Sequence, residues 1–140
     1  MNAVLLDTSA IVAALDRSEH HHTICSRTLA EVTAPLVTCE AVIAEACYLL
    51  RNLKGAADAV LANVSAGIFR LPFSLSESAE PVRSILRKYH DSDIDLADAC
   101  LIHIATELRT PEILTLDRDF VHYRWGRNNA FRILIPARGQ

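Results

Sequence analysis

The stretch "AVLLDTSAIVAALDR" (3–17) sets the architecture. Its first four residues are apolar without interruption and stop at Asp7. A short unbroken apolar run is the pattern of a strand buried on both faces. From Thr8 onward the apolar residues take helical spacing, so the segment reads strand, acid, helix. A strand feeding directly into a helix opens a βαβ unit, whose parallel partner strand must come later in the chain.

The rest of the chain repeats that alternation. "HHTICSRTLAEV" (21–32) is a second helix, and "PLVTC" (35–39), β-rich and opened by Pro, is a strand. "EAVIAEACYLLRNL" (40–53) has apolar residues at i, i+3, i+4 and i+7 and is a helix. Gly55 and Gly67 bracket another, "AADAVLANVSA". "IFRLPF" (68–73) is a short strand that Pro72 places at a sheet edge. "SESAEPVRSILRKYH" (76–90) starts a helix, with Ser76 as its N-cap and Pro81 early. A helix over 95–109 and strands "EILTLD" (112–117) and "FRILIP" (131–136) complete the chain. The pattern predicts one α/β domain over 1–140, a three-layer sandwich with four or five mostly parallel strands and helices on both faces. In such sheets ligands gather beyond the carboxyl ends of the strands, near the switch in strand order.

At 51 % hydrophobic, the chain can bury a core without disulfides. Cys25, Cys39, Cys47 and Cys100 are scattered with no C-x-x-C pair, which predicts core thiols in a reducing cytosol. The start lacks a basic leader region, so no signal peptide is expected. No apolar run approaches the roughly 20 residues that cross a membrane. The net charge of −3 excludes a global basic field, but the charge is uneven. From residue 118 onward there are five arginines (Arg118, Arg124, Arg127, Arg132, Arg138) against Asp119 alone. Such an end suits either a local phosphate contact or an ordinary solvated surface.

On this framework Asp7 falls just past the first strand and Asp117 at the end of the fourth. Glu45 lies in the helix after the second strand, among Val42, Ile43, Ala46, Leu49 and Leu50. It sits either on a narrow exposed stripe or half-buried for a purpose. Asp98 is in the first turn of the helix in "DIDLADACLIHIATEL" (93–108), where an acid is either a favourable charge at the helix start or part of a site. Clustered carboxylates without His or Cys suit hard cations, Mg²⁺ or Mn²⁺. Without an ion they would repel, and some would hold a proton.

"VLLDTSAIVAALD", "VIAEACYLL", "DLADACLIHIATEL" and "ILTLDRDF" together resemble the four acidic motifs of PIN domains, most closely VapC-type toxins, over about residues 3–136. No one motif is specific; the ordered set of four is. The resemblance implies a Mg²⁺-dependent endoribonuclease, with Mn²⁺ an alternative ion. Asp7 and Asp98 would bind the metal directly, and Glu45 and Asp117 would complete the cluster or hold metal-bound water. The implied products are a 5′-phosphate and a 3′-hydroxyl. The hydroxyl residue of the first motif is Ser9, which would bond an acid or the scissile phosphate. Asp95 either shares the metal or holds Asp98 in place, Asp119 competes with Asp117, and Glu40 competes weakly with Glu45. The resemblance also implies an RNA substrate, a small VapB-like antitoxin covering the site and a homodimer; the cytoplasmic location is expected from the cysteines.

Other features have plainer readings. Adjacent histidines in "EHHH" (19–22) point different ways and do not chelate as a set. His103 reads as a core or interface residue. Tyr123 and Trp125 either stack on bases or pack the loop before the last strand. The helices 42–53 and 56–66 offer a partner surface. The rival to the nuclease is a PIN-like domain that binds RNA or protein without cleaving. A phosphohydrolase with Asp7 as nucleophile is weaker: haloacid-dehalogenase-like enzymes need a second Asp where this chain has Ser9. Receiver domains need a lysine after a late strand, and the only lysines are Lys54 and Lys88.

Overall fold

The computed structural model describes residues 3–135. Five strands form one parallel sheet: β1 (Val4–Leu6), β2 (Leu36–Val37), β3 (Phe69–Arg70), β4 (Glu112–Leu114) and β7 (Arg132–Ile133). Their spatial order is β3-β2-β1-β4-β7. The chain lays strands outward on one side of β1, then returns to lay β4 and β7 on the other. The order therefore reverses between β1 and β4, and the ends of these two neighbours define the crevice where α/β sheets bind ligands.

Among the described residues six α-helices lie in pairs between successive strands: α1 (Thr8–Leu15), α2 (His22–Glu31), α3 (Glu40–Leu49), α4 (Ala56–Ser65), α5 (Leu75–Lys88) and α6 (Leu96–Leu108). Val4, Leu5 and Leu6 are all buried. Successive strand residues point to opposite faces, so β1 is covered on both sides, as its unbroken apolar run required. α6 is buried along nearly its whole length from Ala97 to Ala105. Cys25, Cys39 and Cys100 are buried thiols, and Cys47 is half-buried. No helix among the described residues is long and apolar enough to cross a membrane.

Several boundaries differ from the sequence expectation. α5 begins at Leu75 with Ser74 as its cap residue, so Ser76 lies inside the first turn. Pro81 is therefore mid-helix rather than at its start. It cannot donate to the Glu77 carbonyl, but both residues are exposed, so water satisfies that oxygen. β3 is an edge strand, as Pro72 indicated. Between β4 and β7 the chain also forms an antiparallel hairpin, β5 (Arg124–Trp125) with β6 (Asn129–Ala130). Pro136 of the last expected strand and Arg138 of the basic tail lie outside the described residues.

Candidate active site

Three elements aim acids at the crevice. Asp7 is the last residue before α1 and caps it: Thr8 N–H donates to Asp7 Oδ1 at 2.8 Å. Asp95 caps α6, accepting from Asp98 N–H at 2.8 Å, which fixes the first turn and turns Asp98 inward. Asp117 caps the short 3-10 helix Arg118–Val121 and accepts from Asp119 N–H at 2.9 Å. Carboxylate oxygens of Asp7, Asp98 and Asp117 all come within 4.8 Å of one another. Among the described residues no other group of three or more such side chains could hold an ion. Of the histidines of 19–22, His22 is engaged within the fold: a ring nitrogen bonds the Ala13 carbonyl at 2.8 Å.

The three acids occupy one end of a cleft of about 430 Å³, whose walls include Ser9, Asp16, Glu19, Glu45, Leu49 and Asp95. Among the described residues no basic side chain lines it. Asp7 is 4 % exposed and Asp98 8 %. Burial, then repulsion from Asp117 and Glu45, pushes Asp7 up to about 6 despite hydrogen bonds from Thr115 and Thr8. Burial, then the charges of Asp95, Asp7, Asp117 and Glu45, pushes Asp98 up to about 8. The N-terminus of α6 favours an anion by about 0.3–1 kcal/mol, under one pKa unit, so desolvation and like charge prevail at Asp98. Asp117 is raised as well, first by burial.

Glu45 faces the same cleft from α3 but is exposed, outside the tight set of three. The Thr8 hydroxyl donates to Glu45 Oε1 at 2.8 Å and holds it at the mouth. Glu40 is the exposed first residue of α3, an ordinary helix-start acid. Asp119 is exposed and serves Asp117 through its backbone N–H. Ser9 bonds no acid: its Oγ accepts from Leu116 N–H at 2.9 Å and lies 3.3 Å from Thr115 Oγ1. It reaches Asp7 only through Thr115, whose hydroxyl donates to Asp7 Oδ2 at 2.6 Å.

Two residues of the site went unread in the sequence. Thr115, fully buried, falls inside the segment 112–117 that reads only as a strand; its place two residues before Asp117 is the available signal. Tyr123, for which base stacking and loop packing are both open in the sequence, packs the loop: it is 1 % exposed, and its hydroxyl, which the sequence does not connect to the acids, donates to Asp98 Oδ2 at 3.4 Å. Trp125 is half-buried and closes the hairpin by donating from Nε1 to the Ala130 carbonyl at 3.1 Å. The basic tail is partly spent internally. Arg124 bonds the carbonyls of Val121, His122 and Tyr123, and Arg132 pairs with Glu112. Arg118 and Arg127 remain exposed. His103 is buried with its ring edge-on to Phe73.

The donor set fits a divalent cation. Three carboxylates converge, two of them buried, and desolvation followed by mutual repulsion pushes Asp7 up to about 6 and Asp98 up to about 8. An ion would replace their protons and offset the repulsion. Oxygen ligands alone match a hard ion.

Comparison with known proteins agrees with this geometry. Residues 4–126 match the PIN domain family. The chain is 35 % identical over 117 residues to Ribonuclease VapC26 of Mycobacterium tuberculosis, covering 82 % of this chain and 87 % of that protein. It superposes on the crystal structure of Mycobacterium tuberculosis VapC20, a Sarcin-Ricin loop cleaving toxin, with a TM-score of 0.75 at 19 % identity. That match covers 83 % of this chain and 91 % of the other and shows a shared fold. The chain belongs to the PIN-domain family, among its VapC-type ribonucleases.

Proposed function

We propose that this domain is a Mg²⁺-dependent endoribonuclease and the toxin of a toxin–antitoxin pair. The observation that carries the reading is the convergence of Asp7, Asp98 and Asp117, their oxygens within 4.8 Å, at the crevice between β1 and β4. Asp7, Asp98 and Asp117 would hold Mg²⁺, or Mn²⁺ in its place. When bound there, such an ion would lower the pKa of a water and offset charge on the phosphate.

The chain's own residues do the rest. Thr115 and Thr8 N–H each bond one oxygen of Asp7, so its carboxylate is presented in a single orientation. Ser9 braces Thr115 against the turn after β4. Glu45, held by Thr8 at the mouth of the cleft, is placed to accept a proton from attacking water. Water adds at phosphorus, the bond to the 3′ oxygen breaks and that oxygen takes up a proton from solvent, leaving a 5′-phosphate and a 3′-hydroxyl. The ribose 2′-hydroxyl takes no part as nucleophile.

The acidic cleft repels RNA phosphates until an ion is bound, which couples substrate entry to metal loading. The same acidity suits a basic segment of a small VapB-like antitoxin. Tyr48, Leu49, Leu53 and Leu61 leave an exposed apolar surface on and beyond α3 and on α4, which suits a homodimer. The reducing cytoplasm accommodates the four free thiols.

The test is cleavage of total RNA by the purified chain in Mg²⁺ or Mn²⁺, beside Asp7→Asn and Asp98→Asn. Discrete cleavage abolished by either substitution and by chelator is the expected result. Equal cleavage by all three proteins would overturn the reading. Tight RNA binding without cleavage would favour a non-catalytic binding domain.

A further inference from the structure

The geometry points to Tyr123 as a positioning residue for the metal centre, its buried hydroxyl orienting the Asp98 carboxylate toward Asp7 and Asp117. This rests on the reading of those acids as ion ligands and extends it to a residue outside the acidic motifs.

Tyr123 lies just past the 3-10 helix that Asp117 caps, on the only stretch of chain between that helix and β5. Its ring is locked edge-on between two others: centroids 5.0 Å from Tyr89 and 5.1 Å from Phe120. Those contacts account for the ring and would be met equally by phenylalanine. They do not account for the hydroxyl. Burying a hydroxyl without a partner is costly, and the one side chain it reaches is Asp98, at Oδ2. Asp98 is thus held from two directions. Its backbone N–H is fixed by Asp95 and its carboxylate by Tyr123. With one oxygen engaged by Tyr123, the carboxylate keeps its second oxygen for an ion. Partners that orient a ligating carboxylate in this way commonly contribute tenfold or more to ion affinity. At 3.4 Å this bond is long, so a smaller effect is expected.

Tyr89 provides an internal control. It belongs to the same aromatic group and is half-buried, but its hydroxyl accepts from the backbone N–H of Arg124 at 2.8 Å and bonds no acid among the described residues. Removing it perturbs the loop without touching Asp98.

The experiment is calorimetric titration of the metal-free full chain with Mn²⁺ and Mg²⁺, comparing wild type, Tyr123→Phe, Tyr89→Phe and Asp98→Asn, with thermal melting in chelator alongside. Tyr123→Phe is expected to bind the ion about 3–10-fold more weakly. Its metal-free melting should stay close to wild type, and saturating ion should restore most of the RNA cleavage. Tyr89→Phe should bind the ion within twofold of wild type. Unchanged ion affinity in Tyr123→Phe, or an equal loss in Tyr89→Phe, would overturn the assignment and leave the metal reading standing. Failure of wild type itself to bind either ion, with Asp98→Asn indistinguishable from it, would instead overturn both.

Discussion

Thr115 Oγ1 donates to Asp7 Oδ2 at 2.6 Å, joining residues 108 positions apart. The same oxygen accepts from Asp117 N–H at 2.9 Å, so one hydroxyl ties together the acids that follow β1 and β4. Because β1 and β4 are neighbouring parallel strands, in register at Leu6 with Leu114, Asp7 and Thr115 emerge side by side. The switch in strand order creates the crevice, and Thr115 fixes the rotamer of the acid within it.

Replacing Thr115 with Val keeps the shape and removes the hydroxyl. Asp7 then loses a donor that lowers its pKa, and Asp117 N–H loses its acceptor. The expected cost is about 1–3 kcal/mol of stability in urea melts and roughly tenfold or more in ion affinity. The acid limb of the cleavage profile should move to higher pH, since Asp7 becomes harder to ionise. Thr115→Ser, which restores the hydroxyl, should recover most of both losses. A valine variant with wild-type affinity and pH profile would show that the bond is incidental.

Metal-free stability should fall as pH rises. Asp7 and Asp98 have folded pKa values of about 6 and about 8, above the 3.8 of an unperturbed Asp. The folded state therefore holds more protons than the unfolded state through this range. The resulting stabilisation is complete below about pH 4 and is lost as pH climbs through 6 and then 8. The loss is on the order of a few kcal/mol, most of it from Asp98. Scanning calorimetry in chelator should show the melting temperature declining from pH 5 to 9. Asp98→Asn should flatten that decline and melt higher than wild type at pH 8. Added Mg²⁺ competes with these protons, so its stabilising effect should grow with pH. An Asp98→Asn protein as pH-sensitive as wild type would mean the repulsion is not centred on Asp98.

What the sequence makes legible follows from periodicity. The apolar run 3–6, the helical spacing of α1, α3 and α6, and the placement of Asp7, Asp98 and Asp117 at element ends all appear in it. A strand buried on both faces and a helix packed on a sheet each leave a repeating pattern. The hairpin Arg124–Trp125 with Asn129–Ala130 leaves none, because two-residue strands are too short for alternation to register. Tyr123 between His122 and Arg124 is compatible with either stacking on bases or packing its loop, and the turn after the 3-10 helix decides for packing by carrying the ring inward. Thr115 and Tyr123 contribute single hydroxyls whose meaning depends on a partner more than 20 residues away, which only the folded sheet supplies. Ser74 and Ser76 both suit a helix cap, and local chemistry does not choose between them.

Asp95 and Asp119 should separate from the acids that hold the ion. Asp95 is exposed and its carboxylate is engaged in capping α6, a role asparagine fills equally well. Asp95→Asn should therefore melt within about 0.5 kcal/mol of wild type. Its charge is the first of the repulsions that raise Asp98, so removing it should lower the Asp98 pKa and move the acid limb of cleavage to lower pH. Asp119 offers its backbone N–H to Asp117, and its own side chain is exposed and outside the group of three. Asp119→Asn should keep cleavage within about threefold, whereas Asp117→Asn should lose roughly 100-fold or more. Equal losses from both would mean that the loop after β4 presents Asp119 to the ion in place of Asp117. A gross loss in Asp95→Asn, with α6 still helical by circular dichroism, would mean that Asp95 ligates as well as caps.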